Sequence, residues 1–596
     1  MKKNIYKSIL ALLFASAFSS CDLDAPTQSA TDESVLYSNY ALAEPAIIGI
    51  CNSFAEVNSY RGRFLPYYGI NSDVEWINNM PINGAGLADN GKYELAGYAA
   101  RPENTQMNTP DNAWASFYGG IERANLCIRG LRAYGNVAND PGMAQLLGEA
   151  LTLRAVLYLD LVKGWGDIPA RFEPINSETL YLPRADRDVI YKQLLADLKE
   201  AESLVAWPNE TAVTKTTERV STAFVKGLRA RVALYAGGYS QRKDGVRLST
   251  DPELSPDKMY TIAKEECLDV INREANKLGA FKDNFLNLCK DNVTAGAESL
   301  WEIPFNNEPA RGRVVFTLGV LHNSVDQYTA QNKGGVNGPL PTLFYDYDRE
   351  DVRRDITCVP YDWSSSNPSI QQLRSLKSWC FGKLRYEWMA RRVTSTNDDG
   401  VNWQYMRLAD VYLMAAEAIN YLEGPSNAAQ YMKPIVDRAL PAAKATAYMT
   451  AATASKDAFQ KAIVDQRAFE FAGESLRKAD LIRWNLLGAK LAEAKTKMTA
   501  LANRTGVYAD LPKYLYWKND GENLVVYGLN HGDTDTAGEA LAYGNRTQWF
   551  GTDDKGVDKL SPQLIDGLYQ KNPDQNQFWP IWQTFIASSN GMLTND

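Results

Sequence analysis

The sequence predicts a mostly α-helical protein, built from paired helices that stack on one another and interrupted by long irregular segments. Three observations lead there. Apolar residues recur at helical spacing in segment after segment. One of those segments, 224–234, carries two apolar stripes and must therefore be covered on both sides. Small residues stand where neighbouring helices would touch: Gly120, Ala124, Ala150, Ala201, Gly227, Ala230, Ala415 and Ala418. Together these point to tetratricopeptide-like units, although the full repeat signature is absent.

The chain opens with "MKKNIYKSILALLFASAFSSC". Lys2, Lys3 and Lys7 form a positive region, Ile9 to Phe18 an apolar core, and Ser19 and Ser20 the small residues before a cleavage point, which predicts an export signal over 1–20. Cleavage there leaves Cys21 at the mature N-terminus, as in a bacterial lipoprotein whose thiol takes a membrane-anchoring lipid. The alternative is a plain secretory leader with an incidental cysteine. Residues 21–34 are polar and short of bulky apolar side chains, so they read as a flexible tether ahead of a folded domain over 35–596.

The helical stripes follow in order. Residues 114–131 place Trp114, Phe117, Ile121, Ala124, Ile128 and Leu131 on one face, and 146–161 place Leu146, Ala150, Leu153, Leu157 and Leu161. Residues 190–205 place Ile190, Leu194, Leu198, Ala201 and Val205, and 224–234 pair Phe224, Leu228 and Val232 with Gly227, Ala230 and Leu234. Residues 405–419 place Tyr405, Leu408, Tyr412, Ala415 and Ile419. Between and after them, about 60–112, 240–400 and 504–578 are loop-rich, with clusters such as "NNEPARGR", "NKGGVNGPLP" and "SSSNP", and such stretches in a globular protein are often where binding occurs.

Composition narrows the function. The 596 residues are 45% hydrophobic and 22% charged, a globular mix. The net charge is −8, and removing three positive charges, Lys2, Lys3 and Lys7, with a leader takes it to −11. An acidic chain without a basic block is a poor partner for nucleic acid, which needs clustered Lys and Arg. No later segment approaches 18 uninterrupted apolar residues, so no transmembrane helix is predicted. Six further cysteines, Cys51, Cys127, Cys267, Cys289, Cys358 and Cys380, show no C-x-x-C spacing, and their pairing cannot be read from sequence. The two histidines, His322 and His531, have no zinc-type spacing, so no metal is predicted. No G-x-S-x-G, P-loop or dinucleotide fingerprint stands out, and no cofactor is predicted. "DTDTAGE" (533–539) departs from calcium-loop patterns and reads as a solvated turn.

At "GEALTLRAVLYLDLVKGWGDIPARFEP" (148–174) the chain resembles the SusD/RagB family, through Glu149, Ala150, Arg154, Ala155, Tyr158, Leu161, Gly166, Asp167, Ile168 and Pro169. Further blocks agree in order: "RVSTAFVKGLRARVALYAGGYS", "PTLFYDYDREDVRRD", "RLADVYLMAAEAIN", "VDQRAFEFAGESLRKADLIRW" and the closing "FWPIWQTFIASSNGMLTND". They depart from the family pattern at Ser475-Leu476 and at Trp582. The resemblance implies a SusD-like α-superhelix of four tetratricopeptide-like helix pairs with a loop-rich ligand-binding region. It also implies a non-catalytic, lipid-anchored protein of the outer-membrane surface that binds glycan, or in the RagB branch peptide. Such proteins serve a SusC-like TonB-dependent transporter. A surface glycoside hydrolase remains an alternative.

The block 464–484 raises that alternative most directly. On one helix Arg467, Glu470, Glu474 and Arg477 fall within about 80° of one another. Paired carboxylates suit acid–base chemistry on a sugar. Alternating charges at i, i+3 and i+4 also make an ion-pair ladder, and arginines hold carboxylates ionised where a general acid needs the opposite.

Binding is predicted on the loops, because sugar rings are met by flat aromatic rings beside amides and carboxylates. The 60–112 stretch offers Tyr67, Tyr68, Asn71, Asp73, Trp76, Asn78, Asn79, Asn90 and Tyr93, and the middle segment His322, Asn323, Gln327, Tyr328, Asn332, Tyr361, Trp363 and Trp379. The ligand candidates are Tyr68, Asn71, Asp73, Trp76, Tyr93, Tyr328 and Trp363, with Trp76 and Trp363 foremost because they stand in polar loop text. With 14 Trp and 32 Tyr in the chain, most aromatics, such as Trp114 and Tyr158, must be core.

Overall fold

A computed structural model describes residues 32–595 apart from 79–81, 84–85, 88–89, 307–309, 331, 396, 553–555 and 557. The predicted leader, Cys21 and Asn79 lie outside the described residues.

Eight helices form the scaffold: α1 Ala113–Tyr134, α2 Pro141–Trp165, α3 Arg187–Ala201, α4 Thr222–Ala236, α5 Pro256–Arg273, α6 Leu408–Glu423, α7 Pro425–Ala439 and α8 Lys456–Phe471. Each packs on the next in chain order, giving the pairs α1/α2, α3/α4, α5/α6 and α7/α8 in one continuous stack. The mostly-α reading of the sequence, with helices paired and stacked, therefore holds. Local chemistry starts the helices where they start. The Asn112 side chain accepts from the Trp114 amide at 2.9 Å and Asp140 from the Gly142 amide at 2.9 Å, while Pro141, Pro256 and Pro425 open their helices. The predicted stripes are buried apart from the half-buried Tyr412, although Tyr405 of the 405–419 stripe lies on a strand ahead of α6. Helix α2 is buried on every side from Met143 to Trp165, which makes it the centre of the first layers. At Gly120 a Cβ would lie 2.7 Å from Leu157 and 2.8 Å from Ser53, so α1 closes at that point on both α2 and the preceding helix Tyr40–Ala55.

Four expectations change. The chain is already helical at Glu33–Tyr37, capped by Asp32, so the fold begins inside the predicted tether 21–34. The segment 240–400 is not irregular from its start, since it holds α5 and a helix Phe281–Cys289. The α5 stripe of Met259, Ala263, Cys267 and Val270 is buried, and polar residues on its other sides hide it in the sequence. The loop-rich segment 504–578 contains a three-stranded antiparallel sheet in which Tyr514–Asp520 lies between Asn523–Tyr527 and Asn545–Gln548. Residues 464–484 are not one helix: α8 ends at Phe471, Gly473 and Ser475 take positive φ (80° and 57°), and a new helix runs Arg477–Arg483.

The break at 472–476 also changes the charged block. Its charges are buried and paired, but with other elements rather than along one face. Glu470 accepts from Arg353 at 2.9 Å and Arg407 at 2.7 Å, and also meets Arg438. Glu474 meets Arg407 at 2.8 Å and Lys383. Arg467 reaches Asp410 and Asp480, and Arg477 reaches Asp73 at 2.7 Å. Burial alone would raise the Glu470 carboxyl, but Arg438, Arg407 and Arg353 outweigh it and hold it well below the carboxylate range. The block pins α8 to α6, α7 and the 351–357 segment, and its two glutamates are both held below the ordinary carboxylate value.

The excursion between α5 and α6 carries the loops. An antiparallel ribbon of Ser299–Ile303 and Trp403–Arg407 closes its base, and the second strand runs straight into α6. Trp301 stacks on Phe224 of α4 at 4.7 Å and fixes the ribbon to the scaffold. Cys51, Cys127, Cys267, Cys289, Cys358 and Cys380 are free. Cys358 and Cys380 lie on paired strands, but Cys358 stands opposite Phe381 and Cys380 opposite Val359, which turns the sulfurs to opposite faces. No helix among the described residues is long and apolar enough to cross a membrane.

Candidate functional site

Six of the seven predicted ligand residues separate into two groups, and Tyr93 stands apart from both. Tyr68, Asn71, Asp73 and Trp76 form an inner wall rather than a platform. Trp76 is fully buried in a short strand, Glu75–Ile77, that pairs antiparallel with Asn337–Pro339. Tyr68 stacks on Phe64 at 4.9 Å, with Lys163 over its ring at 4.9 Å. Asn71 is buried at φ 61°, where its amide donates to Leu568 O at 3.1 Å and its carbonyl oxygen accepts from the Ile77 amide at 3.2 Å. Asp73 is the partner of Arg477, which outweighs burial and lowers its carboxyl. No ring in this group turns a face to solvent. The physical reason is that the strand is covered on both faces: Val74, Glu75, Trp76 and Ile77 are all buried. Tyr67 is buried as well, Asn90 caps the short helix Gly91–Ala96, and Tyr93 on that helix is half-buried.

The second group meets in the excursion. Tyr328 is half-buried and lies over Trp363, ring centres 4.8 Å apart at 58°. Trp363 is itself buried, at 1% exposure, so it serves as the floor and Tyr328 as the accessible ring. Three segments assemble this floor. Residues 320–330 approach through the Trp363 amide, which donates to Leu321 O at 2.9 Å, and through Asn323, whose side chain donates to Trp363 O at 2.8 Å. The hairpin Tyr361–Trp363/Gln371–Leu373 supplies Trp363 and the half-buried Tyr361. The turn 385–388 supplies Arg385, which donates to the Tyr361 hydroxyl at 2.7 Å, and Glu387, which accepts from it at 3.4 Å.

Sequence reasoning missed two participants. Glu522, at the tip of the Tyr514–Asp520/Asn523–Tyr527 hairpin, accepts from the Tyr328 hydroxyl at 2.5 Å and from Gln327 at 3.1 Å. That hairpin docks on the platform through Gln371, whose amide donates to Glu522 O and whose carbonyl accepts from Asn519, both at 2.8 Å. Tyr328 and Glu522 are 194 residues apart, a separation over which no periodicity carries a signal. Glu387 is the other, and burial, which alone would raise its carboxyl, is outweighed by His322 and Arg385 so that it lies below its ordinary value.

Chemically, the platform offers aromatic rings edged by carboxylate and amide groups, the pattern expected for the two faces of a pyranose. Beneath the rings, the buried atoms Trp363 Nε1, His322 Nε2, Glu387 Oε2 and Ser324 Oγ have no hydrogen-bond partner, and His322 Nε2 lies 3.7 Å from Glu387 Oε2. Among the described residues no group of three or more His, Cys, Asp or Glu side chains is placed to hold a metal. Asp535 and Asp533 of the former calcium candidate instead accept from turn amides: Asp535 from Lys513 at 2.9 Å, Asp533 from Asn530 at 2.9 Å.

A helical-repeat stack that carries an aromatic loop platform on one long excursion defines a scaffold-and-platform binding architecture. The chain belongs to the SusD/RagB family. Residues 361–596 match the SusD family, and residues 87–234 match the family described as "Starch-binding associating with outer membrane". Two SusD-like proteins of Formosa agariphila are each 24% identical to it. One aligns over 441 residues (67% of this chain, 74% of the relative) and the other over 519 (81% and 92%). A SusD homolog from Bacteroides thetaiotaomicron superposes with TM-score 0.64 at 17% identity, covering 80% of this chain and 91% of its own. Surface glycan-binding protein A from the same organism, in complex with laminarihexaose, superposes with TM-score 0.60 at 17% identity, covering 93% and 98%.

Proposed function

We propose that this protein captures oligosaccharide or polysaccharide at the cell surface without cleaving it. We further propose that a lipid on Cys21 anchors it in the outer membrane, and that it hands ligand to a SusC-like TonB-dependent transporter. The observation that carries the reading is the half-buried Tyr328 ring over Trp363, edged by Glu522, Gln327 and Tyr361. The SusD family match and the laminarihexaose complex of the similar glycan-binding protein support the ligand class. Against catalysis speaks the state of the two carboxylates beside His322: Asp326 and Glu387 both lie below their ordinary values, whereas a glycosidase acid must be raised. Asp362, which burial raises, is bound to Gln372 and Arg374.

Of the sequence-derived candidates, Tyr328 and Trp363 are proposed to form the contact surface and its floor. Tyr68, Asn71, Asp73 and Trp76 are proposed to support the fold beneath, and Tyr93 to lie outside the platform. Native gels cast with laminarin and other polysaccharides test this. Tyr328→Ala with Tyr361→Ala should abolish the retention of the wild-type chain while the melting temperature stays within about 2 °C, since half-buried rings lose little packing. Unchanged retention would overturn the assignment.

A further inference from the structure

His322 is fully buried beneath the platform, and its surroundings set its charge. Its Nδ1 lies 2.6 Å from Asp326 Oδ2 on its own segment, and its Nε2 lies 3.7 Å from Glu387 Oε2 on the 385–388 turn. Trp363 stacks on the imidazole from the hairpin side at 5.5 Å and 18°, and Tyr386 meets its other flank edge-on at 5.1 Å. The other charged or titratable groups near it include Tyr328, Asp362, Arg385 and Arg392, the last turned to the Asp326 and Thr329 carbonyl oxygens. Tyr328 lies edge-on at 6.2 Å, Asp362 is bound to Gln372 and Arg374, and Arg385 is turned to Tyr361. Lys333, whose carbonyl accepts the His322 amide, points its ammonium at Phe316. Two buried carboxylates thus converge on one imidazole, with no other cation directly on it. When the ring is neutral, Glu387 Oε2 faces a partner that carries no charge. When it is protonated, both carboxylates gain one.

We propose that His322 is a positioning residue of the platform and acts as an imidazolium that ties the 320–330 segment to the 385–388 turn, so that the backbone-bonded Tyr328–Trp363 pair is held more firmly while His322 carries its proton. The inference rests on the glycan-binding reading for its consequence but not for its geometry. Burial pulls the imidazole down, and Asp326 and Glu387 outweigh it, leaving the group raised above its ordinary value. The stabilisation is therefore present below the unfolded value near 6.5 and is lost as pH rises through the folded value.

The test is amide hydrogen exchange of peptides covering 320–330 and 361–363 between pH 5 and 9, corrected for intrinsic exchange and read against scaffold peptides. Laminarin binding is followed over the same range. In wild type, protection of these peptides should fall at least about tenfold across one titration as pH rises, and laminarin affinity should fall with it. Glu387→Gln, which keeps the shape and removes one carboxylate, should move that midpoint down by about one pH unit. His322→Gln should show low protection at every pH and no midpoint. Protection independent of pH, or a midpoint that Glu387→Gln leaves in place, overturns the proposal. Absence of laminarin binding with the exchange midpoint intact would instead count against the choice of glycan and leave the positioning role standing.

Discussion

Replacing Glu470 by glutamine removes one charge from the middle of the buried ion-pair cluster. The cluster sets Arg353, Arg407, Arg438 and Lys383 against Glu470, Glu474, Glu298 and Asp351, four cations to four anions. The substitution leaves one uncompensated positive charge at a residue that is fully buried. Breaking such a pair costs about 3–5 kcal/mol. In a chain this long that energy produces a small thermal shift. An unfolding entropy of roughly 2 cal/mol/K per residue over roughly 560 folded residues makes about 3–5 kcal/mol worth only about 3–4 °C if the domain melts as one unit. Urea midpoints, read beside scanning calorimetry, should reveal the change more clearly. Acid supplies an internal check. Because the folded Glu470 carboxyl is depressed, its contribution is full above the unfolded value and disappears as pH falls through the folded one, so wild type and variant should converge in strong acid. Lys461→Ala is the control: its helix-surface pair with Asp465 leaves Lys461 largely exposed, and removal should cost about 0.5 kcal/mol or less. A Glu470→Gln variant as stable as wild type at pH 7 would refute the structural role, and a stable variant that lost ligand binding would return the block to the functional site.

Glu75, buried with one oxygen unpaired and raised by burial to about 8, binds a proton in the fold that the unfolded chain loses near 4.5. Stability should fall by roughly 1.4 kcal/mol per pH unit across that window, and Glu75→Gln should remove this slope in urea titrations at pH 5 and 8. At Gly338 a Cβ would lie 1.9 Å from the Trp379 carbonyl oxygen and 2.6 Å from the Asn78 side chain, so Gly338→Ala should push the Asn337–Pro339 strand away from Trp379 and expose that buried ring to quenching by acrylamide. If Cys21 carries the anchor, Cys21→Ala should leave the protein in the aqueous fraction of a detergent phase separation. Persistent partitioning with membranes would point to a protein contact instead.

How far the fold was legible follows from the kind of signal each part carries. Helices α1 to α4 and α6 were readable because their stripes repeat every three or four residues within one segment, a local property. Helix α5 has the same stripe at Met259, Ala263, Cys267 and Val270, but it is thin and set in charged text. The break after Phe471 was not readable from charge spacing, which assumes an unbroken helix, although Gly473 marks it. The platform was half readable. Tyr328 and Trp363 stood out as aromatics in polar loops, but their pairing depends on the approach of 320–330 to the hairpin, and Glu522 joins from a distant sheet. Trp76 stood in similar text and ended as core, because it lies in a strand whose partner, at Gly338, is 262 residues away.

The central claim is that this chain captures glycan on the Tyr328 platform. Isothermal titration of the mature chain with a panel of polysaccharides, oligosaccharides and peptides, repeated with Tyr328→Ala, tests it most directly. The account predicts saturable heat with at least one glycan, no release of reducing sugar from it, and loss of that heat in the variant. Heat from peptides alone, or glycan binding indifferent to Tyr328, would contradict it.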